Sequence, residues 1–266
     1  MPRHAAETAA RTPQPDTGRP RSASVDPADI ARFAALADEW WDPAGKMREL
    51  HRMNPLRIGF IRDHVAAAHR RDALSHRPLA GLKILDVGCG GGLSSEPLAR
   101  LGAEVTGIDA AAEGIGVARL HAGERDLAID YRQSSAEELA DTGATFDAVV
   151  ALEIVEHVAD VDSFLAALGR LARPGAPLVM STLNRTAKSF ALGIVAAEYV
   201  LRIVPRGTHS WRQFLKPSEL ARGLRRHGFV VEAAKGMVFS PTTADWALSD
   251  RDLDVNYLMA AAKAAA

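Results

Sequence analysis

The sequence predicts an α/β protein built on a doubly wound, mostly parallel sheet of seven strands, with N-terminal helices and a helical insertion near 185–212. Two observations carry that prediction. From Lys83 onward, short apolar runs alternate with helix-length segments. Strands that are apolar throughout, rather than at every second residue, are those covered on both faces by crossover helices. The first run then leads directly into Gly88, Gly90, Gly91 and Gly92, where such a sheet turns from strand to helix and holds ligands.

Residues 1–26 are mainly Pro, Arg, Ala, Ser and Thr. They bury too little surface to offset ordering entropy, so a disordered tail is expected, followed by one domain over 27–266. Asp26-Pro27 pairs an N-cap with proline at the first helical position. It predicts a helix through Ile30, Phe33, Ala34 and Ala37 that ends before Trp40-Trp41-Asp42-Pro43. Asn54-Pro55 repeats the start signal for a helix carrying Leu56, Ile58, Phe60, Ile61 and Val65, and the polar stretch Arg70–Pro78 reads as a linker. Strands are predicted over Lys83–Val87, Glu104–Ile108, Ile129–Arg132, Phe146–Leu152, Pro177–Thr182, Val230–Ala234 and Val255–Ala261. Helices are predicted over Ser94–Leu101, Ala111–His121, Asp162–Leu171 and Ser218–His227. Residues 185–212 have no counterpart in a minimal alternation and read as the insertion.

Composition narrows the function. A formal net charge of −1 over 266 residues supplies no global field to gather nucleic acid. The single cysteine, Cys89, excludes an intramolecular disulfide and a multi-thiolate metal site, and points to a reducing, cytoplasmic compartment. No apolar run reaches the roughly 20 residues that span a bilayer, and the N-terminus has no apolar signal-peptide core.

The most informative stretch is Ile84-Leu85-Asp86-Val87-Gly88-Cys89-Gly90-Gly91-Gly92, with Asp109 closing the next predicted strand. Glycines allow a tight turn and close ligand approach, and an acid at the second strand end accepts hydrogen bonds from ribose hydroxyls. A nicotinamide dinucleotide shares those needs, but its G-x-G-x-x-G pattern requires glycine where Leu93 stands. Asp86, just inside the strand end, would repel a pyrophosphate and suits a cationic ligand, such as the sulfonium and ammonium groups of S-adenosyl-L-methionine. Asp86, Gly88, Gly90 and Asp109 are therefore candidate cofactor-binding residues in a Rossmann-like sheet. Cys89 reads as a small buried filler.

The loop and Asp109 resemble the class I methyltransferase motifs. More specific stretches are Ala37–Trp41 with Asp42-Pro43, His51–Arg57, Glu153–Val158, Ser181–Arg185, Ala197-Glu198-Tyr199 with Gly207-Thr208-His209, and Asp252–Tyr257. Together they resemble the ubiquinone biosynthesis O-methyltransferases from about Ile30 to Lys263. The resemblance implies O-methylation of polyprenylated catechol-type intermediates at two steps of ubiquinone synthesis, the later one converting demethylubiquinol to ubiquinol. It also implies cofactor contacts at Arg57, Gly88, Asp109 and Leu152. Metal-dependent eukaryotic relatives resemble the E-x-x-E-H arrangement of Glu153, Glu156 and His157, which favours Mg²⁺.

The residues add their own argument. Glu153, Glu156 and His157 follow the fourth predicted strand, at the end where open α/β sheets bind ligands. In a helical turn, spacings of three and four would place them on one face as a divalent-metal site. The other reading has Glu153 touching the cofactor, His157 acting as general base and Glu156 solvated. Either way, His157 and Glu153 are the candidate catalytic residues. Arg57, a cation placed unfavourably in the first turn after Asn54-Pro55, makes sense opposite an anion such as the methionyl carboxylate. Leu152 reads as an apolar wall near the adenine. Trp40-Trp41 flanks an aromatic substrate or is plain core.

Phe190–Val204 is apolar apart from Glu198 and Arg202 and has basic flanks. It reads as an interfacial helix touching the inner membrane or as a lid over the site. The other functional readings are a class I methyltransferase of another phenolic small molecule, and a scaffold organising a ubiquinone-biosynthesis complex.

Overall fold

The computed structural model describes residues 39–191 and 211–265. The expected tail, the helix through Ile30–Ala37 and most of the insertion lie outside the described residues. Helix α1 (Arg48–Ala68) precedes β1 (Lys83–Val87), α2 (Ser95–Arg100), β2 (Glu104–Asp109), α3 (Ala112–Glu124), β3 (Asp130–Gln133), α4 (Ala136–Asp141) and β4 (Ala148–Leu152). Then come α5 (Val161–Leu171), β5 (Pro177–Leu183), the single turn α6 (Ala187–Ser189), α7 (Pro217–Arg226), β6 (Phe229–Ser240), β7 (Asp245–Ser249) and β8 (Asn256–Lys263).

The sheet has eight strands, not seven, in the order β3-β2-β1-β4-β5-β8-β6-β7. Strands β1 to β5 are parallel, and β8 runs antiparallel to both β5 and β6. Chain order reverses between β1 and β4, so the C-terminal ends of those strands form the crevice where such sheets bind ligands. The extra strand is β7. Strand β6 continues past Ala234 to Ser240 and folds back through a turn in which Ala244 takes φ 52°. The hairpin is half exposed and mixes Lys235, Ser240 and Asp245 with Phe239 and Trp246, so no continuous apolar run announces it.

Two apolar layers enclose the sheet. Leu85, Val149, Ala151, Leu178 and Met180 pack with Phe164, Leu165 and Leu168 of α5 and Leu220 and Leu224 of α7. Ile84, Val150, Val179 and Leu258 pack on the other face with Met53, Phe60, Ile61 and Val65 of α1. Local signals fix the helix starts. Asp160 accepts from the backbone of Asp162 and Ser163 to cap α5, and Ser135 with Glu138 forms a capping box for α4.

Helix α1 departs from expectation. It begins at Arg48, and Pro55 lies inside it. Proline removes one backbone bond, at a cost of roughly 3 kcal/mol, but burial of Met53, Phe60, Ile61 and Val65 outweighs that local cost. Asn54 does not cap the helix; its amide donates to the Leu93 carbonyl at 2.8 Å, tying α1 to the glycine loop.

Gly236 of β6 is fixed by packing: an added Cβ would stand 1.6 Å from the Asp252 carbonyl oxygen, a backbone atom with no rotamer to change. Gly236→Ala should cost roughly 2 kcal/mol or more. Thermal denaturation checks this, and a melting temperature equal to wild type would refute it.

Candidate active site

The loop after β1 is shaped by three glycines in the left-handed region: Gly88 at φ 71°, Gly90 at φ 50° and Gly92 at φ 91°. A Cβ on Gly88 would come within 2.3 Å of Ile154 Cδ1, and one on Gly92 within 2.3 Å of the Tyr131 hydroxyl oxygen. The backbone of Gly88 and Cys89 donates to the Ile108 carbonyl at 2.8 and 3.0 Å. Asp109 then receives the Gly90 N–H on one oxygen at 2.9 Å and the Ala111 N–H on the other at 2.8 Å. The expected ribose anchor therefore also clamps the loop. Carboxylate oxygens have two lone pairs each, so Asp109 retains acceptor capacity.

Asp86 is 2% exposed and accepts from the Ser95 hydroxyl at 2.6 Å. It lies in β1, two residues before Gly88. Burial pushes its carboxyl up to about 6, with Ser95 opposing and Asp109 adding to the rise. Because the folded value is raised, the stability Asp86 contributes is full below the unfolded value and is lost as pH rises through about 6. Asp86→Asn should be more stable than wild type near pH 8, with a gap that closes below about pH 4. The same variant should bind S-adenosylmethionine more weakly. Melting curves across that range check the first statement, and a gap independent of pH would contradict it.

At the neighbouring edge, Leu152 ends β4 and lies beside Ser181 of β5. Glu153 takes φ 49°, an uncommon conformation for a residue with a side chain. Its N–H donates to the Ser181 carbonyl at 3.0 Å and hydroxyl at 3.1 Å. Its carboxylate accepts from Ser181 Oγ at 2.7 Å and pairs with Arg57 Nη2 at 2.8 Å. Arg57 thus lies in mid-helix, buried against an acid, and not in the first turn where a dipole argument would apply. Its Nε is buried without a partner.

The turn that follows is one 3-10 turn, Val155–His157, and not an α-helical face. Glu156 is 2% exposed, which excludes the solvated reading, and accepts from Thr182 Oγ1 at 2.9 Å through one oxygen. The other oxygen is buried and unpartnered. Burial, then the nearby Glu153, pushes its carboxyl up to about 7. Ser181 and Thr182 are consecutive in a strand, so their side chains point to opposite faces of the sheet. Glu153 and Glu156 are bonded to one each and straddle the sheet edge. No group of three or more His, Cys, Asp or Glu among the described residues is arranged to hold a metal. His157 is half-buried at the end of this turn.

The structure thus gathers Arg57, Leu152, Glu153, Glu156 and His157 at one edge, beside the loop of Gly88, Gly90 and Asp109. Ser181 and Thr182, which the sequence marks only within the stretch Ser181–Arg185, also line this edge. The register Leu152↔Ser181 is the signal that finds them, because the ends of adjacent parallel strands share a crevice. Asn184 and Asn256, both buried, add unpartnered side-chain oxygens at the same edge.

A switch-point crevice, a glycine loop after β1 and an acid closing β2 are features of nucleotide-binding Rossmann-like sheets, and the comparisons place this one among the class I S-adenosylmethionine-dependent methyltransferases. Residues 60–234 match the family model described as a methyltransferase domain. The chain is 54% identical to the ubiquinone biosynthesis O-methyltransferase of Azorhizobium caulinodans, covering 90% of this chain and 94% of that one. It is 49% identical to that of Mesorhizobium japonicum, covering 92% and 98%. The chain belongs to the ubiquinone biosynthesis O-methyltransferase family. Solved structures share the fold at lower identity. A plantazolicin methyltransferase with bound S-adenosylhomocysteine matches at TM-score 0.61, 17% identity and 89% and 97% coverage. The magnesium protoporphyrin IX methyltransferase of Synechocystis matches at 0.58, 18% identity and the same coverage.

Proposed function

We propose that this protein methylates a hydroxyl of polyprenylated catechol and quinol intermediates of ubiquinone synthesis, demethylubiquinol among them, using S-adenosylmethionine. Family membership at about half identity over nearly the whole chain supports the substrate class. The observation that carries the chemistry is the pairing of the glycine loop with the polar edge at Glu153–His157. Gly88, Gly90 and Asp109 hold the nucleoside, with Leu152 as an apolar wall. Arg57 Nε, buried and unpartnered, meets the methionyl carboxylate, while Glu153 keeps the guanidinium oriented and Asp86 favours the cationic cofactor from below.

Methyl transfer is an in-line displacement that needs an oxyanion aligned with the methyl and sulfur. In the proposed reaction His157 takes the hydroxyl proton as the oxygen–carbon bond forms. The carbon–sulfur bond breaks with its electron pair left on sulfur, giving S-adenosylhomocysteine. The buried acceptors of Asn184, Asn256 and Glu156 suit the paired hydroxyls of a catechol.

Magnesium is a separable part of the proposal. The site fits it in part: the unpartnered oxygen of Glu156 and the adjacent His157 are donors of the right kind, but Glu153 is committed to Arg57 and Ser181. A bound ion would lower the hydroxyl pKa, and no step above depends on it. Loss of turnover on chelation, restored by Mg²⁺, would support the ion; unchanged turnover would remove it.

Contact with the inner membrane through 185–212 and membership of a ubiquinone-biosynthesis complex belong to the same proposal, as does a tail over 1–26 before a domain over 27–266. Exposed Phe190 and Trp211, 6.3 Å apart, support membrane contact. Of the basic flank, however, Arg185 is paired with Glu219 and Lys188 with Asp252. No helix among the described residues is long and apolar enough to cross a membrane. Flotation with anionic liposomes tests the contact. For the substrate, kcat/KM for a prenylated hydroxyphenol should exceed that for bare catechol; equal values would favour a different phenolic acceptor.

A further inference from the structure

Trp40 lies on the glycine loop at Gly90 and Gly91. A Cβ on Gly90 would stand 2.1 Å from Trp40 Cζ2, and one on Gly91 would stand 2.2 Å from Trp40 Cδ1. The indole is therefore laid across two successive residues whose lack of side chains makes the approach possible. Gly91 does not have positive φ, so its lack of a side chain is required by this contact and not by the backbone.

The Trp40-Trp41 segment is held there by its neighbours. His51 Nε2 is 3.0 Å from the Trp40 carbonyl oxygen, joining the segment to α1. Trp41 donates its indole N–H to the Gly91 carbonyl at 2.9 Å. It also stacks on His121 of α3, with centroids 3.6 Å apart and planes 7° apart. His121 in turn bonds the fully buried Glu96. The two tryptophans thus do different things: Trp41 is bolted between α3 and the loop, and Trp40 is presented to the loop's surface. This separates the sequence alternatives of substrate flank and plain core in favour of neither.

We propose that Trp40 is a cofactor-contacting residue, an aromatic wall closing the S-adenosylmethionine site over Gly90 and Gly91, and that Trp41 and His121 position it. The inference rests on the cofactor reading of the loop. An aromatic face beside a bound sulfonium and adenine adds dispersion and cation–π attraction and excludes water.

The test is calorimetric binding of S-adenosylhomocysteine and S-adenosylmethionine to the full chain. Wild type should bind both; failure of wild type would overturn the cofactor reading itself. Trp40→Ala should weaken binding of both by about tenfold or more, raise KM for S-adenosylmethionine, and leave kcat at saturation within about twofold. Trp40→Phe should recover most of the affinity, and Trp41→Phe, which keeps the stack but loses the N–H, should fall between. Wild-type affinity in Trp40→Ala would overturn the proposal, as would a fall in kcat without a change in KM. If Trp40→Ala does not fold, two arms remain. Gly90→Ala should weaken binding in wild type and much less in Trp40→Phe, which lacks the Cζ2 and Cη2 that the added Cβ would meet, and the change in tryptophan emission on ligand binding should be larger in wild type than in Trp40→Phe. Absence of both effects would overturn it equally.

Discussion

His157→Ala should bind S-adenosylhomocysteine with near-wild-type affinity and turn over prenylated catechol about 10²–10⁴ times more slowly. The two properties separate because His157 ends the 3-10 turn at the strand edge, while the proposed nucleoside contacts Gly88, Gly90 and Asp109 lie on the loop after β1 and at the end of β2. Removing the base leaves the acceptor as a neutral hydroxyl, a poor nucleophile toward a sulfonium. The loss should shrink as pH rises toward the acceptor's own pKa, where the oxyanion forms unaided. Equal loss of binding and turnover would assign His157 a structural role, and normal turnover would remove it from the mechanism.

The second large effect is expected at Asp109. Both of its oxygens are bonded to backbone N–H groups, Gly90 and Ala111, and burial pushes its carboxyl up despite those bonds. Asp109→Ala strands two donors in the interior at about 1–3 kcal/mol each. For a chain of this size that corresponds to a fall in Tm of roughly 5–10 °C. It also removes the proposed ribose acceptor, so cofactor affinity should fall by about 100-fold or more. Asp109→Asn should be intermediate, since its one carbonyl oxygen can still accept from Gly90 or Ala111. Thermal melts with and without S-adenosylhomocysteine check both parts: the ligand should raise Tm in wild type and not in Asp109→Ala. An unshifted Tm in the alanine variant would show that the loop is held by something else.

Much of this was legible before the structure. Strands buried on both faces leave continuous apolar runs, so β1, β2, β4 and β5 appeared within a few residues of their observed limits. Gly88, Gly90 and Gly92 announced the turn after β1, because it demands positive φ and few residue types supply it. What was hidden depended on contacts distant in sequence. Pro55 looked like a helix start because the burial that carries α1 through it comes from strands more than twenty residues away. The half-exposed hairpin of β6 and β7 carries no strong periodicity, and its turn uses Ala244 where glycine would have marked it.

The site divided in the same way. The spacing of Glu153, Glu156 and His157 placed them together, but their directions were set by Ser181 and Thr182 on another strand and by the conformation of Glu153. Spacing alone predicted a shared face; the alternation of β5 sends the two carboxylates to opposite sides of the sheet edge. Arg57 was recognised as a cation needing an anion, yet the acid it meets in the folded chain is Glu153, 96 residues away. Trp40 carried two readings, and its place over Gly90 and Gly91 matches neither.

The central claim is that the loop delivers a methyl group to a catechol oxygen at the edge beside it. The most direct measurement is transfer of isotopically labelled methyl from S-adenosylmethionine to a short-chain demethylubiquinol by the full-length protein, followed by mass spectrometry of the quinol. Stoichiometric label on one ring oxygen is expected, with one S-adenosylhomocysteine formed per methyl. Label on carbon, or cofactor binding with no transfer to any catechol offered, would contradict it.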